Sequence, residues 1–146
     1  MPGTPETGLY LAFDYGERRI GVAVGNRWNR QARPLTVVTH KASPPWKELQ
    51  ELVGEWQPQA LVVGLPLHHD ATEQEITRKA RAFAAELETR CGIPAKTVDE
   101  RWTSRDAASR LKAARHDEGI KRRLKKGDKD SVAAQLILRD YLGTLP

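Results

Sequence analysis

Leu9-Tyr10-Leu11-Ala12-Phe13-Asp14-Tyr15-Gly16, followed closely by Arg19-Ile20-Gly21-Val22-Ala23-Val24-Gly25, is the most informative stretch of this 146-residue chain. The apolar run Leu9 to Phe13 ends at Asp14-Tyr15-Gly16, a turn-like break, and so reads as a buried strand. The second stretch alternates large Ile20, Val22 and Val24 with small Gly21, Ala23 and Gly25. That pattern predicts a strand with one face open to close approach by another element. Leu35 to Thr39 reads as a third strand, and the short connections suggest an antiparallel meander. Upstream, Met1 to Gly8 is short and polar and is expected to be disordered. It lacks the apolar core of a signal peptide.

Downstream the period changes. Ser43 and Pro44 offer an N-cap and a first helical residue. Trp46, Leu49, Leu52, Val53 and Trp56 follow at helical spacing, and Pro58 ends the run. Ala60 to Leu65 is apolar on both faces, as a central parallel strand should be. After a loop from Pro66 to Ala71, Thr72-Glu73-Gln74-Glu75 is a capping-box pattern. It opens a helix lined by Ile76, Ala80, Phe83, Leu87 and Cys91 and closed by Gly92 and Pro94. Ala95 to Val98 is a fifth strand. A helix capped by Thr103 or Ser104 turns Ala107, Leu111 and Ala114 inward. A last one, Asp130 to Leu142, carries Ala134, Ile137, Leu138 and Tyr141 on its apolar face. The order β-β-β-α-β-α-β-α-α implies an α/β fold with a mixed sheet of five strands, antiparallel on one side, flanked by helices. No repeat or linker divides residues 1–146, which read as one domain.

Composition excludes several classes. Hydrophobic residues make up 39% and charged residues 29%, as in a globular chain able to bury its own core. Cys91 is the only cysteine, so neither an internal disulfide nor a thiol-rich metal site is available. No stretch has the roughly 18 apolar residues of a spanning helix. No membrane association is therefore expected, and the expected compartment is the cytoplasm. The formal net charge is +5, and Arg110 to Lys129 alone holds nine basic residues against three acidic ones. On this reading all excess basicity lies in that segment, the footprint of a polyanion partner. A solvated charge run is the alternative.

Three acids fall at comparable places. Asp14 ends the first strand, Glu100 follows the fifth, and Asp130 starts the last helix. Sites in open α/β sheets form beyond the carboxyl ends of strands. Carboxylates suit Mg²⁺ or Mn²⁺, and two such ions about 3.5–4 Å apart can drive phosphodiester hydrolysis. Asp99 competes with Glu100 on pattern alone, and Asp130 could equally be an N-cap. Gly16 reads as a turn residue, and His68 and His69 as loop residues. Trp46 and Trp56 read as core or helix-face residues. Trp28 and Trp102 read as packing residues, with stacking on bases as the alternative.

Taken together, four ordered motifs resemble the YqgF/RuvX family, bacterial proteins described as Holliday junction resolvases or pre-16S rRNA nucleases. They are Phe13-Asp14-Tyr15-Gly16 with Arg19 to Ala23, Val63-Gly64-Leu65-Pro66-Leu67, Asp99-Glu100-Arg101 with Thr103-Ser104, and Lys125-Lys126-Gly127 with Asp130-Ser131 and Ala133-Ala134. The resemblance spans Leu9 to Leu142. His68-His69 and Ala71 depart from the usual loop pattern, which affects substrate contacts and not the acids. The resemblance implies a ribonuclease H-like fold, Mg²⁺ or Mn²⁺, and catalytic, metal-holding acids at Asp14, Glu100 and Asp130. With the basic run, it places nucleic-acid binding at Arg19, Arg101, Lys121, Arg122, Arg123, Lys125 and Lys126. The expected activity is metal-dependent endonuclease cleavage in pre-16S rRNA processing. Resolution of branched DNA and a non-catalytic nucleic-acid-binding scaffold are the alternatives. The expected partner is structured RNA or branched DNA, bound by a monomer or homodimer. An ATP-using fold of the actin and sugar-kinase type, which shares an Asp-x-Gly turn, needs two lobes that this length cannot supply.

Overall fold

Strand β1 (Leu9–Tyr15) lies at the centre of a five-stranded sheet ordered β3-β2-β1-β4-β5. The computed structural model describes residues 7–41, 43–66, 75–99 and 128–146, and side chains from Ser131 onward in the last of these stretches. Strands β2 (Arg19–Asn26) and β3 (Gln31–Thr39) pair antiparallel on one side of β1. Strands β4 (Ala60–Leu65) and β5 (Ala95–Asp99) pair parallel on the other. Helices α1 (Trp46–Trp56), α2 (Glu75–Cys91) and α3 (Asp128–Gly143) complete the described elements. The mixed sheet with an antiparallel side is the one expected. The helix predicted from Thr103 lies outside the described residues, as do the capping box before Glu75, His68, His69 and Trp102.

The two-residue period of the strands sorts the core into two layers. Leu11, Phe13, Ile20, Val22, Leu61 and Val63 face α1 and α2, where they meet Leu49, Val53, Phe83 and Leu87. Tyr10, Ala12, Ala23, Ala60 and Val62 face α3 and its Ala134, Ile137, Leu138 and Leu142. The small side of β2 serves close packing, as its pattern predicts. A Cβ on Gly25 would lie 2.9 Å from both Leu138 Cδ2 and Leu142 Cδ1.

Several boundaries differ from expectation. Strand β3 begins at Gln31 and runs through Pro34; as an edge strand it tolerates a missing N–H, and its register shifts there, opposite Val22 and Ala23. Helix α1 begins at Trp46 with Pro45 at its cap position and no side-chain cap, so Ser43 and Pro44 lie outside it. The cause is Pro45 itself, which disfavours helical geometry in the residue before it. In α2 it is Thr77, not Ile76, that is fully buried, and its hydroxyl donates to the Pro66 carbonyl at the exit of β4. Helix α3 starts at Asp128, so Asp130 is its third residue rather than its cap. The expected disorder of Met1 to Gly8 does not extend to Thr7 and Gly8. The Gly8 N–H donates to Gln59 Oε1 (2.9 Å), and the Thr7 hydroxyl donates to the Gln57 carbonyl (3.0 Å). Among the described residues, no helix is long and apolar enough to cross a membrane.

Candidate active site

Asp14 sits on the α3 side of the sheet, since it follows Tyr10 and Ala12 at alternate positions. Its register partners are Gly21 on β2 and Gly64 on β4, so no side chain from a directly paired residue flanks its carboxylate. Two strands on either side fix its backbone, which is how a central strand presents a half-buried acid at a constant position. The turn that follows is tightly specified. A Cβ on Gly16 would come 2.6 Å from the Arg19 carbonyl, so the residue serves turn geometry, as expected. His40, just past β3, clamps the same turn. Its backbone N–H donates to the Arg18 carbonyl (2.9 Å), and its Nε2 lies 2.6 Å from the Gly16 carbonyl. Only a protonated Nε2 can make that bond to a carbonyl acceptor.

Tyr15 points to the opposite face, against Phe83 and His40. Burial pushes its hydroxyl above the usual tyrosine range, with Lys79 opposing and Glu17 adding to the shift. Lys79 of α2 reaches Glu17 in the turn at 3.4 Å. Their hydrogen bond and opposite charges raise the lysine's value. Both side chains are exposed, so the pair contributes little stability.

Alternation also fixes the face of Asp99 at the end of β5. Asp99 pairs with Leu65, on the sheet face shared with Leu61 and Val63 and therefore opposite to Asp14. Asp99 is thus not brought together with Asp14. Glu100 and Arg101 lie outside the described residues, as do Lys121, Arg122, Arg123, Lys125 and Lys126. For Asp130 the backbone alone is described. Helix α3 ends at the β2–β3 hairpin, where Arg30 Nη1 donates to the carbonyls of Leu142 (3.3 Å) and Gly143 (3.4 Å). Its first turn therefore lies toward the Asp14 end of the sheet. From Leu142 back to Asp130 is about 18 Å of helix, against about 13 Å of strand from Gly25 to Gly21. Arg19, two positions from Gly21, shares the Asp14 face and borders an open groove of about 820 Å³ with Glu17, Arg18, Thr39, His40 and Lys41. Among the described residues, no three His, Cys, Asp or Glu side chains gather as a metal site.

A second positive region is legible in the sequence but masked by the charge sum. From Arg18 to Lys47 there are seven basic residues and no acid. The excess basicity is therefore not confined to Arg110–Lys129, because acids elsewhere cancel these cations in the total. The region comprises β2, β3 and their connections. Trp28, expected to pack, is instead 72% exposed at the hairpin tip.

A β3-β2-β1-β4-β5 mixed sheet, with an acid at the end of its central strand and a helix closing over that strand's face, defines the ribonuclease H-like class. Solved structures of resolvases share this fold. Thermus thermophilus RuvC, solved with a Holliday junction substrate, superposes with TM-score 0.56 at 18% identity, covering 93% of this chain and 96% of that one. The fowlpox virus Holliday junction resolvase gives 0.58 at 10% identity, covering 94% and 99%.

Sequence comparison is more specific. The family model described as "RuvX: Holliday junction resolvase" matches residues 8–144, and the chain belongs to that family of nucleases. A Nitrosospira multiformis relative named "Putative pre-16S rRNA nuclease" is 46% identical over 138 residues, 94% of this chain and 89% of that protein. One of the same name from Escherichia coli O7:K1 is 43% identical over 136 residues, 92% of this chain and 96% of that protein. Family membership removes the kinase-type alternative.

Proposed function

We propose that this chain is a divalent-metal-dependent endonuclease of the cytoplasm that cleaves phosphodiester bonds in the 5′ processing of pre-16S rRNA. The observation that carries this reading is near full-length identity of 46% to a protein named for that substrate, in a chain that holds Asp14 at the end of its central strand. We assign metal holding and catalysis to Asp14, Glu100 and Asp130. For Asp14 the fit rests on a hard oxygen donor whose register neighbours, Gly21 and Gly64, have no side chains. The placement of Asp99 on the other face supports Glu100 as the second acid. The direction of α3 supports Asp130 as the third.

Mg²⁺ or Mn²⁺ held by Asp14, Glu100 and Asp130 would supply Lewis-acid stabilisation of charge on a phosphodiester and activation of water. The chain's own part is to orient. Asp14 offers oxygen ligands from a backbone held on both sides, and the Gly16–His40 clamp keeps the turn after it in one conformation. Arg19 lies on the same face and is assigned to a phosphate, together with Arg101 and the run Lys121, Arg122, Arg123, Lys125 and Lys126.

The family's description favours a second reading, cleavage of branched DNA, which needs two active sites and hence a homodimer. The deciding experiment gives purified protein Mg²⁺ or Mn²⁺ with precursor 16S rRNA and, in parallel, four-way DNA junctions, with Asp14→Asn as control. Cleavage of the precursor by the parent alone is the expected result. Junction cleavage alone would replace the RNA reading, and equal cleavage by Asp14→Asn would remove Asp14 from the site.

A further inference from the structure

Trp28 is the one large apolar side chain exposed among the described residues, and several hydrogen bonds define the hairpin around it. The Asn26 Oδ1 accepts from the Trp28 N–H (2.6 Å), the Asn29 Oδ1 accepts from the Gln31 N–H (3.0 Å), and the Arg30 N–H donates to the Asn26 carbonyl (2.8 Å). Arg30 is held in the left-handed region at φ 57°. The Arg27 N–H donates to the Gly8 carbonyl (2.9 Å), and the indole edge lies over Gly8 so closely that a Cβ there would be 2.2 Å from Nε1. An indole held in this way loses little rotamer freedom on meeting a ligand, which distinguishes it from a mobile surface residue.

Its surroundings are cationic. The Arg27 guanidinium lies 5.3 Å from the Trp28 ring centroid, and Arg33 lies 5.4 Å from that of Trp56. Among the described residues neither arginine is in an ion pair. At the far ends of β2 and β3 a second group of cations, Arg18, Arg19 and Lys41, lines the groove beside the Asp14 end together with Glu17. An exposed aromatic beside Arg27 and Arg33, in a stretch with no acid between Glu17 and Glu48, matches what single-stranded nucleic acid requires. Cations follow the phosphates, and a flat ring accepts any base.

We propose that the β2–β3 edge is a second nucleic-acid contact, distinct from the hydrolytic site. There a single-stranded flank of the substrate lies along Arg33 and Arg27 and stacks a base on Trp28. The proposal rests on the reading of the protein as a nuclease, but it concerns binding and is testable without cleavage. An edge of eight paired residues spans about 26 Å, enough for a segment within the four-to-sixteen-nucleotide range of such surfaces. It gives the enzyme a hold on an unpaired end some distance from the scissile bond.

The test is fluorescence anisotropy of a labelled twelve-residue oligouridylate and the matching oligothymidylate with the full-length protein in EDTA. The variants are Trp28→Ala, Trp28→Phe, Arg27→Gln with Arg33→Gln, and Asp14→Asn. Trp28→Ala is expected to weaken binding about 5- to 160-fold, the range for loss of one stacked base. Trp28→Phe should keep most of the affinity. The arginine double variant should flatten the slope of log K against log salt by about 1.4, or about 0.7 for each single-strand phosphate it no longer neutralises. It also keeps the test open should Trp28→Ala fold poorly.

Asp14→Asn should bind like the parent. Parental affinity in both Trp28→Ala and the arginine variant overturns the proposal, as does a parent that binds neither oligonucleotide. In the latter case cleavage of precursor rRNA by the same preparation would leave the nuclease reading standing. Binding of either oligonucleotide, with the expected losses, supports the proposal, and the preferred sugar identifies the flank as RNA or DNA.

Discussion

At the scale of single residues, Asp14 is a half-buried carboxylate at the end of the central strand, and its register neighbours are both glycines. Under the proposed metal-holding role, Asp14→Asn is expected to fold in EDTA and to lose cleavage by at least about 100-fold. Even outer-shell partners of a metal are worth about 10- to 100-fold. Gel assays with thermal melts in EDTA and in Mn²⁺ check both halves. Gly16 has the opposite character, because a Cβ there would meet the backbone carbonyl of Arg19. Gly16→Ala should cost about 1–3 kcal/mol, the range for overpacking, read as a lower urea midpoint. Three weakly acidic groups, Cys91, Tyr15 and Tyr141, are all pushed up by burial. A group whose folded value lies above its unfolded one contributes fully below the unfolded value and loses that contribution as pH rises through the folded one. Stability should accordingly hold from pH 7 to 8 and decline above about pH 9. Cys91→Ala should remove the earliest part of that decline, because the unfolded thiol titrates first, near 8.5.

At the scale of elements, strands and helices were legible wherever apolar period was strong, and ends were missed where proline or local chemistry intervened. The alternation from Ile20 to Gly25 correctly implied a close-packed face, and Gly25 now gives it a test. Gly25→Ala places a methyl 2.9 Å from Leu138, Leu142 and the Gln31 carbonyl, so a loss of about 1–3 kcal/mol is expected. The start of β3 was hidden because Pro34 reads as an interruption until the strand is known to be an edge. Of the acids, the place of Asp14 at the end of the central strand was legible from the abrupt end of its apolar run. Asp99 and Glu100 could not be separated, since period two assigns faces only once register is known. Trp28 was misread because an isolated tryptophan in sequence carries no sign of exposure. The position of Asp130 in α3 changes the meaning of its substitutions. In the first turn a carboxylate gains about 0.3–1 kcal/mol from the helix dipole, so Asp130→Asn and Asp130→Ala should both stay within about 1 kcal/mol of the parent in EDTA. Both should lose cleavage and stabilisation by Mn²⁺, and a fully active Asp130→Asn would take the residue out of the catalytic set.

At the scale of the whole molecule, charge is distributed as two positive regions with an acidic balance elsewhere, which a net value of +5 conceals. Changing Lys121, Arg122, Arg123, Lys125 and Lys126 to Gln should reduce the salt slope of substrate binding by about 0.7–0.9 for each phosphate left unneutralised. An unchanged slope would make that run a solvated face. The two faces of the sheet are also completed at different moments of the molecule's life. Synthesis proceeds from the N-terminus, and nascent segments fold in that order. Among the described residues, the five strands and the two helices that cover the Phe13 side are encoded by Asp99, whereas the Ala12 side is packed by α3, at residues 128–143. An emerging chain thus carries one finished half-core while, on the other face, Ala23 and Gly25 still await Leu138 and Leu142.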